Sequence, residues 1–218
     1  MMRRTLLATP VVLFAGALAP AMPSAAGADP AAFITNLGNQ LRVLVGNTSP
    51  EQRLAGFREL FREDFDVPGL GRFVVGRYWW ALTPSQQQEF LGLFENYVVL
   101  TYSDRLSEFA NSGDLLKVTG SRADPDGAFV SSEIIRGAER DQMAQPIKVD
   151  WRLTGRDGIY KISDIVIAGL SMAVNGRSQL EGVVERNGGR AQAILAVMRQ
   201  ESANVAICWS ENGRISCR

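Results

Sequence analysis

The residues with chemistry to offer lie between Gln145 and Gln179, where Asp150, Tyr160 and Asp164 sit on two strand-like runs that meet at a Gly-rich turn. A carboxylate with a nearby phenol could move protons on a small apolar substrate, so these three are weighed first. Asp150 alternates to the polar face of its strand. Asp164 shares the parity of Tyr160, Ile162 and Val166, and a lone carboxylate so placed reads as a hydrogen-bonded structural group before it reads as a base. An enzyme using Asp164 and Tyr160 on a cone-shaped scaffold stays as an alternative. Other chemistry is excluded by what is missing. The chain has no histidine, which removes Ser-His-Asp and Cys-His pairs, His metal sites and an imidazole proton shuttle. Gly69-Leu70-Gly71 and Gly188-Gly189 lack the spacing and the preceding strand of a phosphate-cradling loop. Cys208 and Cys217 flank an Asn212-Gly213 turn signal. In an exported protein this spacing suggests one disulfide closing a short hairpin, worth about 2–3 kcal/mol, whereas a metal pair would need further ligands.

The elements that position these residues follow from periodicity. Ile147, Val149, Trp151 and Leu153 alternate with Lys148, Asp150, Arg152 and Thr154, which gives a strand with one buried and one wet face. Arg156-Asp157-Gly158 turns the chain, and Ile159 to Ile167 is apolar at both parities, so both faces of its far end should be covered. Leu115 to Gly120 and Gly127 to Gly137 are two earlier strands, and short turns between consecutive strands favour an antiparallel meander. Upstream, Asp29-Pro30 opens a first helix with Phe33, Ile34, Leu37, Leu41 and Leu44 inward. Ser49-Pro50-Glu51-Gln52 is a capping box for a second, and Phe65-Asp66-Val67-Pro68 starts a short third. Thr83-Pro84-Ser85-Gln86 launches the longest helix, to about Ala110, with a stripe of Phe90, Phe94, Val98, Tyr102 and Leu106 that would face the sheet. Downstream, Ser171 caps a helix to about Arg186, and a last one runs from Arg190 to about Ser202. The expected fold is α+β: a curved four-stranded antiparallel sheet, cystatin- or NTF2-like in character, with helices over its concave face enclosing an apolar pocket.

Composition supports a single domain, since 218 residues at 46% hydrophobic content can bury one substantial core and no linker divides them. Residues 1–28 read as an export signal: Arg3 and Arg4, an apolar run from Leu6 to Ala19, then Ala26-Gly27-Ala28. The expected organisation is a cleaved signal at 1–28, an α+β domain at 29–203 and a cysteine-bearing tail at 204–218. Removing the signal takes two basic residues and no acid from a chain balanced at 23 of each, which leaves it slightly acidic. Nothing in that mixed surface calls for nucleic acid.

Several blocks together carry a family resemblance. Phe65-Asp66, Val75-Gly76-Arg77-Tyr78-Trp79, Thr83-Pro84-Ser85-Gln86-Gln87 with Phe90, Phe94 and Tyr102, Val149-Asp150-Trp151-Arg152-Leu153, Tyr160-Lys161-Ile162-Ser163-Asp164-Ile165-Val166 and Gly169-Leu170-Ser171 with Asn175 and Arg177-Ser178-Gln179 are spread from about Asp29 to Gln200. In order and spacing they resemble the periplasmic phospholipid-binding proteins of the toluene-tolerance (MlaC-type) family. The resemblance implies a periplasmic shuttle with no cofactor. It would hold phospholipid acyl chains inside and pass lipid between an inner-membrane ABC transporter bearing an MCE-domain subunit and an outer-membrane lipoprotein and porin complex, maintaining outer-membrane lipid asymmetry. A related branch is associated with hopanoid transport, and an NTF2-like enzyme remains the reading from another class. Two features depart from the pattern: the cysteine-bearing tail, and Tyr78-Trp79-Trp80, which is more aromatic than usual at that corner.

Physical chemistry sets what such a carrier needs. At about 0.8 kcal/mol per methylene, two acyl chains leaving a membrane require on the order of 20 kcal/mol of compensating burial, so the tails must enter a deep apolar space. The charged headgroup stays at the mouth in water. The expected lining is Val98, Tyr102, Leu106, Ile134, Val149, Trp151, Ile167, Leu170 and Val174, with Ser171, Asn175 or Arg177 at the rim. Of these, Tyr102, Trp151, Leu170 and Arg177 match the family blocks; the rest come from assignment to a face.

Overall fold

In the computed structural model, residues 29–46, 48–111, 115–135, 145–156 and 159–212 are described, with side chains placed for all of these but 104–111, 156 and 205–212. Four helices come first: α1 (Pro30–Gly46), α2 (Pro50–Asp64), α3 (Val67–Val75) and, after a 3-10 turn at Gly76–Ala81, α4 (Pro84–Asn111). The strands β1 (Leu115–Asp124), β2 (Gly127–Ile135), β3 (Ile147–Arg156), β4 (Ile159–Ile167) and β5 (Leu170–Ser171) follow, then α5 (Met172–Arg186) and α6 (Ala193–Asn212). The capping chemistry is in place. Gln52 N donates to Ser49 Oγ while Ser49 N donates to the Gln52 side chain, and Thr83 with Gln86 repeats the arrangement. Asp66 accepts from Gly69 N at the start of α3.

The sheet is an antiparallel meander in the order β1-β2-β3-β4-β5. It has five strands where four were expected. The extra strand arises because Ala168 and Gly169 both take positive φ, 50° and 85°, the geometry of a two-residue hairpin, and fold Leu170 back against Ile167. A second departure is a bulge. Arg152 pairs with Asp164 and Leu153 with Ile162, so Ser163 is the extra residue, its Oγ donating to Arg152 O. Beyond it the parity of β4 flips: Ile165 and Ile167 face inward opposite Trp151 and Val149, while Asp164 and Val166 face outward.

The inner face is covered first by α1. Ile34 and Leu37 pack with Ala128, Val130, Val149, Trp151, Leu153 and Ile162. Gly38 permits the approach, since a β-carbon there would sit 3.2 Å from Leu116. The long α4 therefore does not form the lid of the sheet, as its stripe had suggested. It lies behind α1 and packs on α1, α2, α3 and α6. Its Phe90 joins Val74, Val75, Trp79, Val184 and Ile194 in a helical core, while Val99 joins Phe57 and Phe61. The last helix also runs on, through Cys208 to Asn212, past its expected end near Ser202.

Candidate functional site

The β3–β4 bulge separates the two residues that an acid–base reading requires. Tyr160 is turned inward, its ring 6.3 Å from that of Phe33, and packs against the sheet's core. Asp164 is turned outward and works on backbone: its Oδ2 accepts from Ser171 Oγ at 2.5 Å and its Oδ1 from Ala173 N at 3.0 Å. Ser171 Oγ in turn accepts from Val174 N at 3.0 Å, so Ser171 and Asp164 together cap α5. Asp150 lies on the outer face and accepts from Ser131 Oγ at 2.6 Å. These three residues share no cleft.

The apolar candidates divide into two groups. Val149 and Trp151 are 2% and 8% exposed and belong to the packed cluster under α1. Trp151 Nε1 donates to Ser132 Oγ, which donates to Val149 O, so the indole is satisfied inside the protein. Val98 and Tyr102 are half-buried on α4, against the Phe57–Phe61–Val99 cluster beside α2. Leu106 lies on α4 among the residues whose side chains are not described.

The second group gathers at one end of the sheet. Register places Leu116 beside Ile134, Ile134 beside Ile147, Val149 beside Ile167, and Ile167 beside Leu170. Cross-strand partners share a face, so this is a continuous apolar row over the inner face of all five strands. Toward β1 it is covered by α1. Toward β5 it opens: Ile167 is 37%, Leu170 54% and Val174 52% exposed. Ile167 and Leu170, side by side on the inner face, with Val174 four residues on in the first turn of α5, form an uncovered patch of the kind that binds something. The rim candidates sit next to it with other tasks. Ser171 is the cap described above, and Asn175 is half-buried on α5. Arg177 bonds Glu181 at 3.1 Å and lies 5.5 Å from the centre of the Phe73 ring.

Two surface grooves lie away from this row. One, of about 280 Å³, is on the outer sheet face among Arg122, Phe129, Ser131, Asp150 and Arg152. There Phe129 is flanked by the guanidinium groups of Arg122 and Arg152, at 4.0 and 4.9 Å from its ring centre. The other, of about 440 Å³, runs between α2, α3 and α4 past Phe65, Pro68, Leu91 and Glu95. No cluster of metal-ligating side chains occurs among the described residues. The expected disulfide involves Cys208, whose side chain is not described, and Cys217, which lies outside the described residues. The sequence reading also missed the aromatic and arginine side chains of the α3 corner as a group, although Tyr78-Trp79-Trp80 had marked the place.

The sequence profile of the MlaC protein family matches residues 41–200. The chain belongs to the MlaC family. Its fold is similar to that of a phospholipid-binding protein from Ralstonia solanacearum, solved in complex with a phospholipid. The TM-score is 0.68 at 21% identity, covering 82% of this chain and 99% of that one. At that identity the likeness establishes a shared fold. No curated protein matches the chain. The matched stretch runs from within α1 to within α6 and spans the whole sheet, the open apolar end at β4–β5 included.

Proposed function

We propose that the chain is a non-enzymatic lipid carrier of the periplasm, which takes the acyl chains of a phospholipid at the open end of the inner sheet face. It collects and delivers lipid between an inner-membrane ABC transporter with an MCE-domain subunit and an outer-membrane lipoprotein and porin complex. The observation that carries this reading is the exposed apolar row Ile167–Leu170–Val174, continuous with Ile134 and Ile147 across the sheet. Family membership and the phospholipid found in the Ralstonia protein support it. The reading of residues 1–28 as an export signal, from Arg3, Arg4 and the apolar run that follows, supports the periplasm. The separation of Tyr160 from Asp164 argues against the acid–base alternative.

The row explains where the tails begin and where the headgroup stops. Methylenes laid against Ile167 and Leu170 leave water at about 0.8 kcal/mol each, and the rest of each tail has to pass inward from this open end under the helices of the inner face, while the phosphate remains at the solvent edge near the start of α5. Extracting gently purified protein with organic solvent and identifying the lipid by mass spectrometry tests the reading. Stoichiometric phospholipid is expected. A hopanoid in its place changes the ligand class, and a blank extract overturns the carrier.

A further inference from the structure

The open apolar row does not end at Val174. One turn along the same face of α5 stands Arg177, whose guanidinium lies over the ring of Phe73, which is 42% exposed on α3. Next to Phe73 is Arg72, which lies 5.9 Å from the ring centre of Trp80, and Trp80 is 77% exposed on the 3-10 turn. Ile167, Leu170 and Val174 thus lead through Arg177 to Phe73, and Arg72 with Trp80 stands on the same α3 corner, so two exposed aromatic rings, each with an arginine beside it, adjoin the sheet's open end. Among the described residues the other exposed large apolar side chains lie elsewhere: Ile159 is at the opposite end of β4, Leu115 starts β1, and Val43 is on α1.

We propose that this corner is a membrane-docking surface, seating the protein on the headgroup layer of a phospholipid bilayer with its apolar end facing the lipid. The inference rests on the carrier reading above and adds to it a contact with the bilayer that surrounds the two membrane complexes. Three features favour a bilayer over a protein partner. The aromatic anchor Trp80 projects from a turn and lines neither of the two grooves above, which suits insertion into a soft interface. Each arginine can extend to phosphate oxygens while its stem and its aromatic neighbour stay in the glycerol region. The open end of the sheet adjoins these rings, so the docked protein presents its acyl-chain shelf toward the membrane.

Electrostatics contributes little to the binding. Arg177 is paired with Glu181, and Arg77 lies 3.8 Å from Glu185, which leaves Arg72 without a carboxylate partner among the described residues. Attachment should therefore be weak, reversible and only slightly salt-dependent, as befits a shuttle.

Flotation of the full chain with mixed phosphatidylethanolamine–phosphatidylglycerol vesicles tests this. Wild type is expected to float with the vesicles. Phe73→Ala/Trp80→Ala should weaken binding about tenfold or more, with melting temperature unchanged because both side chains are already exposed. Arg72→Glu should give a smaller loss. Lipid-loaded wild type that stays with the soluble fraction overturns the docking surface, leaves the carrier reading intact and assigns the corner to a protein partner. A double variant that floats like wild type overturns it too. Vesicle binding through Trp80 by a protein that never carries lipid overturns the carrier reading and upholds the docking surface.

Discussion

Asp164 and Ser171 face each other across the β4–β5 hairpin, carboxylate Oδ2 to hydroxyl Oγ at 2.5 Å, and between them they satisfy two backbone amides of the first turn of α5. A carboxylate placed so is a cap, and its negative charge also suits the positive end of the helix. Asp164→Ala should cost about 1–2 kcal/mol, the range for losing such a cap. Denaturant melts report the loss, and bound-lipid stoichiometry should stay constant. Loss of an otherwise measurable turnover on addition of small esters would restore Asp164 to a chemical role.

The two groups of apolar candidates respond differently to charge. Val149 is 2% exposed in the sheet's core, so Val149→Arg buries a guanidinium with no partner and should abolish folding. Leu170 and Val174 are about half exposed, so an arginine at either can reach water from its stem. Leu170→Arg and Val174→Arg should change stability by no more than the roughly 0.5 kcal/mol of surface substitutions while bound lipid falls. Unfolding of both variants would move these positions into the core and remove the shelf.

The buried chain Trp151 Nε1 to Ser132 Oγ to Val149 O ties β2 to β3. Ser132→Ala strands the indole N–H and should cost about 1–3 kcal/mol. Trp151→Phe removes the donor along with packing. In the double variant the stranded donor is gone, so the losses should sum to less than the two singles, with a coupling of about 0.5 kcal/mol or more. Urea melts of the four proteins measure it, and strict additivity would mean the bond is not formed.

Most of the helical frame was legible because its signals are local. Ser49 with Gln52, Thr83 with Gln86 and Ser171 at the head of α5 are capping residues whose partners lie three positions away, and each helix starts where they predict. The strand faces were legible up to the bulge and no further. Alternation placed Ile147, Val149, Trp151 and Leu153 correctly on one face, but in β4 one inserted residue, Ser163, reverses the assignment of Asp164 and Val166. Periodicity has no memory of such an insertion. The position of α1 was illegible for another reason: α1 and α4 both carry apolar stripes, and which of them lies against the sheet depends on packing at Gly38 that no spacing reveals. For the same reason Val98 and Tyr102, placed by periodicity opposite Trp151, belong instead to the cluster beside α2.

Glu95 anchors α4 to α2 through Arg58 at 3.0 Å and Arg62 at 2.9 Å, and Asn96 beside it continues the link from Arg58 to Ser202 on α6. Burial alone would raise the Glu95 carboxyl, but the hydrogen bonds and charges of Arg62 and Arg58 outweigh it and hold the group below its ordinary value of 4.5. A carboxyl depressed on folding adds stability above its unfolded pKa and loses it as pH falls through the folded one. Glu95→Gln should therefore cost about 1–2 kcal/mol at neutral pH, with the difference from wild type closing below about pH 4. Asp64 gives the opposite sign. Burial, reinforced by Glu63, raises its carboxyl above the ordinary 3.8 in spite of Lys161, so ionising it opposes folding at neutral pH. Asp64→Asn should raise the melting temperature at neutral pH and lose that advantage in acid. Thermal melts of both variants from neutral to acid pH check the pair, and curves that stay parallel to wild type throughout would show that neither carboxyl is shifted by folding.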